Sequence, residues 1–166
     1  MASPGAKSAT PVVAPQVQPL AAEHDPQQML LVVVGSHLKA EINDRPLAYR
    51  LREAILRWQD QHHDADDGPP LRPVVCSDVW YLNTPDLQDR PTVSIGDPQV
   101  NAASAMLSTH VPTAFVIENT LRVHVDQEFL DLRTCMWGAN HSATASAIDL
   151  FVERYLNDFL RAAQAG

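Results

Sequence analysis

The chain is 166 residues long and 45% hydrophobic, with twenty acidic against twelve basic side chains and a net charge of -8. That length and apolar content suit one ordinary domain, and the negative field repels phosphate backbones and anionic lipid, which argues against nucleic-acid partners. The longest strongly apolar run, residues 29–34, falls far short of the ~20 residues of a membrane-spanning helix, so no membrane segment is expected.

Residues 1–27 are rich in Pro, Ala and Gln and have no period that could bury a face, so they read as a disordered tail ahead of a single domain at 28–166. With one basic residue, Lys7, and no continuous hydrophobic stretch, the tail does not read as a secretory signal, and a cytoplasmic location is expected. Residues 29–35 (MLLVVVG) have the continuous aliphatic character of a strand buried on both faces. After a short connection, Asp44 is placed to cap a helix with Pro46 in its first turn, and Leu47, Leu51, Ala54, Ile55 and Trp58 form its apolar stripe. Residues 73–82 (PVVCSDVWYL) predict a second strand, and 91–96 (PTVSIG) a third.

Asp97 followed by Pro98 reads as the cap and first turn of a helix reaching about residue 109. Residues 113–118 and 121–126 predict a hairpin turning at 118–120, and 129–137 a further strand. Residues 142–163 predict one long helix, with Ile148, Phe151, Val152, Tyr155 and Phe159 on one stripe. The resulting class is α/β and Rossmann-like: a mixed sheet, mostly parallel with an antiparallel hairpin, in two or three layers with three main helices. Cys76 and Cys135 lie in apolar surroundings without a CxxC or Cys/His pattern, and read as buried free thiols. A disulfide between them stays open, although the absence of a secretory context argues against it.

Three of the six glycines, Gly35, Gly96 and Gly138, each end an apolar run. If those strands are parallel, the loops after them share the carboxyl edge of the sheet, where open α/β sheets bind ligands. The residues expected to contact a small polar ligand there are Gly35, Ser36, Gly96, Asp97, Asn101, Gly138, Asn140 and Thr144. His37 or His141 would exchange protons, with Asp78 orienting the imidazole.

A glycine before a cap is also simply how a strand passes into a helix. None of the junctions has the spacing of a dinucleotide or P-loop fingerprint, and Asp97 would occupy the helix N-terminus that a phosphate needs, so no cofactor is named. His37, Asp78, Asp97 and His141 are metal-ligand types, but no metal is assigned, because a cap and a helix start account for Asp97 and His141. The cluster His62, His63, Asp64, Asp66 and Asp67 reads as a solvated loop, and Trp58, Trp80 and Trp137 as packing residues.

Residues 93–101 (VSIGDPQVN) and 137–144 (WGANHSAT) resemble a pattern of prokaryotic surface-layer protein domains. There an apolar strand runs into Gly-Gly-Pro-x-x-Asn before a helix, and a later strand into Gly-x-(Asp)-x-x-(Thr) before a second one. Asp97 stands in place of the second glycine. The resemblance implies the local α/β topology and no activity. Two readings of function follow from the residues. One is a hydrolase or transferase acting on a small polar molecule at the glycine loops; the other is a non-catalytic module that binds a protein partner and is tethered to an assembly by its tail.

Overall fold

The computed structural model describes residues 25–64 and 66–166. Most of the expected tail lies outside these residues, but its last part does not. Asp25 caps a short 3-10 turn, Pro26–Gln28, and Arg90 donates to the Gln27 side chain at 2.5 Å, while residues 25–27 stay exposed.

Six strands form one sheet: β1 (Met29–Val34), β2 (Arg72–Ser77), β3 (Thr92–Ile95), β4 (Thr113–Ile117), β5 (Leu121–His124) and β6 (Arg133–Gly138). Their order is β2-β1-β3-β6-β5-β4. The first four are parallel, and the β4–β5 hairpin is added antiparallel along β6. The helices are α1 (Leu38–Asn43), α2 (Arg45–His62), α3 (Asp78–Asn83), α4 (Pro85–Gln88), α5 (Ala102–Leu107), α6 (His141–Arg154) and α7 (Leu156–Ala165).

The alternation of β1 divides the core in two. Leu30, Val32 and Val34 face Leu51 and Ile55 of α2, Ile148 and Phe151 of α6, and Phe159 of α7. Leu31 and Val33 face Tyr81, Leu87 and Ala103 on the other side. The molecule is therefore α/β with a mostly parallel sheet, as the alternating pattern of strands and helices predicts, and of the two or three layers that the pattern allows it has three. Among the described residues no helix is long and apolar enough to cross a membrane. Both cysteines are free and buried, and burial pushes each thiol up to about 12.

Several boundaries move for identifiable reasons. The second strand stops at Ser77, because the Ser77 hydroxyl accepts from the Trp80 amide and starts α3 where β-prone residues predict more strand. The connection after β1 is not a loop but the short helix α1, capped by the His37 ring. Asp97 does not cap the next helix. Its carboxylate closes a turn onto Gln99, and α5 begins five residues later, capped by Asn101. Residues 126–132 are a loop wound on Asp126, which accepts from the amides of Glu128, Leu130 and Asp131, so β6 starts at Arg133. The long C-terminal helix breaks at Tyr155.

Candidate functional site

Register places the three glycine junctions on one edge. Val34 is level with Ile95, and Ile95 with Met136, so the loops after β1, β3 and β6 leave the same carboxyl end of the parallel sheet. The chain from β1 goes to α2 and that from β6 to α6, on the same face, whereas β3 leads to α5 on the opposite face. Connections that diverge in this way open a crevice above the strand between them. A cavity of about 230 Å³ lies there, lined by Lys39, Asn43 and Asp44 from the α1–α2 junction, by Asp97, Gln99 and Val100 after β3, and by Gly138, Ala139, Asn140, His141 and Thr144 at the start of α6.

Asp44 is the chemically distinctive member. It occupies the N-cap position of α2 that the sequence assigns to it, but its carboxylate makes no capping bond. The residue is only 7% exposed, and its side chain, whose oxygens reach the solvent in the cleft, has no hydrogen bond or ion pair among the described residues. Burial pushes its carboxyl from 3.8 up to about 6; His141 and Lys39 pull it back, and Asp97 adds to the rise. Gly96 makes room for it. A Cβ on Gly96 would lie 2.5 Å from the Asp44 Oδ2, and the backbone there has φ +115°, which glycine alone adopts without strain.

Around this acid, the groups of the α6 terminus are fixed. His141 Nδ1 lies 3.0 Å from the Asn43 carbonyl, to which it donates, and this bond orients the ring. Asn140 caps α6 through the Ala143 amide at 2.9 Å, and the Thr144 hydroxyl accepts from the Gly138 amide at 3.0 Å. Gly138 is needed for packing, because a Cβ would run into the backbone of Ala143 and Thr144.

The residues expected from the sequence divide. Asp97, Gly138, Asn140, His141 and Thr144 line the cavity, and Gly96 borders it through Asp44. Gly35 is instead covered by the Val100 carbonyl, and Ser36 is exposed with its amide bonded to Asp78. Asn101 is 1% exposed and fully engaged: its oxygen accepts from Ala103 and Ser104, and its nitrogen donates to Ser94 and the Ile95 carbonyl. His37 is an exposed cap outside the lining. Asp78 accepts from the amides of Ser36, Val79 and Ala102, so it ties the loop after β1 to the starts of α3 and α5 and holds no imidazole. Sequence reasoning missed Lys39, Asn43 and Gln99, and it took Asp44 for an ordinary cap.

A larger cavity, about 600 Å³, opens at the opposite end of the sheet between α2 and β2, over Met29, Leu56, Leu71 and Val74. It holds no buried carboxylate without partners, so size and chemistry point to different places, and chemistry is the better guide to a reactive site. Among the described residues no group of three or more His, Cys, Asp or Glu side chains is arranged to hold a metal ion. The chain matches no family model, no curated protein and no solved structure.

Proposed function

We propose that this cleft binds a small polar molecule and exchanges a proton with it through Asp44, as a hydrolase or transferase would. The observation that carries the reading is a carboxylate held in a concave site with no protein partner, at a stability cost. Its affinity for protons is matched to neutral conditions, where a carboxyl near 6 both gives and takes a proton. The cavity size selects a ligand of few heavy atoms bearing a hydroxyl or amine proton, which Asp44 accepts while His141 and Asn140 border the same space. Asp97 on the rim disfavours a phosphate.

A thermal-shift screen of the full chain with small hydroxy and amino compounds near neutral pH tests this. Compounds that bind the folded state raise its melting temperature, and Asp44→Asn should abolish those gains. Stabilisation that survives the substitution unchanged would remove the basis of the reading. The reading as a protein-binding module rests on the exposed apolar residues Leu38 and Ile42 of α1 and Val79 and Trp80 of α3. Those side chains specify no partner, whereas Asp44 specifies a chemistry.

A further inference from the structure

Much of the donor capacity around the Asp44 cleft is already spent. The Gly138 amide donates to the Thr144 hydroxyl, the Ala139 amide to the Thr120 carbonyl at 2.7 Å, and the Ala143 amide to the Asn140 side chain, while His141 donates to the Asn43 carbonyl. Acceptors are left over. The Asp44 carboxylate accepts no hydrogen bond among the described residues, and of the Asp97 oxygens Oδ1 alone is engaged there, by the Gln99 amide at 2.8 Å. Charge runs the same way. The titratable side chains facing the space are Lys39 from α1, Asp44 from the α1–α2 junction, Asp97 from the loop after β3 and His141 from α6, so two carboxylates stand against one permanent cation. Lys39 is exposed and screened by water, whereas Asp44 is largely buried. The α6 N-terminus returns only about half a positive charge.

We infer that the ligand of this cleft is a small protonated primary amine, with Asp44 as its counter-ion and Asp97 as a second acceptor at the rim. The inference rests on the proposed role of Asp44 and narrows the hydroxyl or amine of that reading to the amine. An ammonium group brings three donors and one positive charge to a place short of both. A neutral hydroxyl supplies a hydrogen bond but leaves the ionised carboxylate uncompensated, and an anion meets two charges of its own sign. The cavity of about 230 Å³ keeps the body of the amine to a few atoms. Binding is coupled to a proton: the ammonium pairs with the ionised carboxylate, so a protonated Asp44 must release its proton to solvent as the ligand arrives. Burial holds that carboxyl at about 6, with Lys39 and His141 opposing the rise and Asp97 adding to it. About a tenth of the sites are then ionised at pH 5 and nearly all at pH 7.5, so the apparent affinity rises about tenfold between the two.

Propylamine, propanol and propionate share a three-carbon body and differ in charge. Their binding to the full chain is followed by the amide resonances of Gly96, Gly138 and Ala139 in a nitrogen-15 correlation spectrum. Propylamine should bind most tightly, propanol more weakly and propionate not at all, with propylamine about tenfold tighter at pH 7.5 than at pH 5. Asp44→Asn should weaken both binding probes and remove the advantage of propylamine together with its pH dependence. Lys39→Gln should tighten propylamine binding and Asp97→Asn should weaken it, opposite signs that a merely structural effect would not produce. Propanol binding as tightly as propylamine, with both lost in Asp44→Asn, would overturn the ammonium and leave the Asp44 reading standing. Propylamine binding that ignores Asp44→Asn would overturn both. A pH dependence that survives Asp44→Asn would belong to His141 and overturn the pairing. Preference for propionate, displacement of propylamine by an equal concentration of magnesium chloride, or no shift of these resonances with any probe would also overturn the inference.

Discussion

Replacing Asp44 by asparagine should stabilise the protein, and by an amount that grows with pH. Folding raises this carboxyl from 3.8 to about 6, chiefly because burial disfavours its charge. The folded state therefore holds the proton more readily than the unfolded chain. The sign follows: the associated stability is fully present below about pH 3.8, is lost as pH rises toward about 6, and is absent above it. At about 1.4 kcal/mol per pH unit, the ionised carboxylate costs about 3 kcal/mol at alkaline pH. The residue is only 7% exposed, but its unpaired carboxylate oxygens reach the solvent in the cleft, so this figure is an upper bound.

Asparagine is nearly isosteric and bears no charge, so its advantage over the wild type should widen by about that amount between pH 4 and pH 8. For a chain of this size that corresponds to roughly 6–12 °C in melting temperature. The assay is thermal unfolding of both proteins across this range. The other carboxylates titrate in both, so their contributions cancel in the difference. A difference that stays flat with pH, or that narrows toward alkaline pH, would refute the argument. It would mean that Asp44 is solvated or paired in solution.

Gly96→Ala should lower stability by about 2–3 kcal/mol in urea unfolding, because alanine is strained at φ +115° and its Cβ meets the Asp44 carboxylate. A loss under about 0.5 kcal/mol would show that the loop after β3 is not held in this conformation. Asp78→Ala should cost about 3 kcal/mol or more, since it strips three backbone amides of their acceptor, two of them at the starts of α3 and α5. It should leave the pH dependence attributed to Asp44 in place. Loss of that dependence together with stability would mean that Asp78 belongs to the site rather than to its frame.

The elements most readable in the sequence are those whose burial is complete or strictly one-sided. β1 announces itself as an aliphatic run because both of its faces are covered, and α2 by a stripe that repeats with the helical period. Short helices are another matter. α1 buries only Ala40, and α5 begins where Asn101 caps it rather than at the Asp-Pro pair, since a cap is chosen by which side chain the fold brings to the free amides. Asp78 likewise carries the marks of a strand residue in sequence, yet three amides from separate segments converge on it.

The sequence by itself determined the layered α/β class, the shared edge of Gly35, Gly96 and Gly138 once the strands are parallel, and the presence of His141, Asn140 and Thr144 at the head of the last long helix. These follow from local periodicity and from residues adjacent in the chain. Only the tertiary structure decided which of those edge residues face a cavity and which are consumed in holding it. It also decided that Asp44, an ordinary cap by every local sign, lines the cleft as a largely buried carboxyl without a capping bond. The physical reason is that the proton affinity of a carboxyl depends on solvent exclusion and on charges brought to it from α1, α6 and the loop after β3, none of which is encoded in its neighbours along the chain.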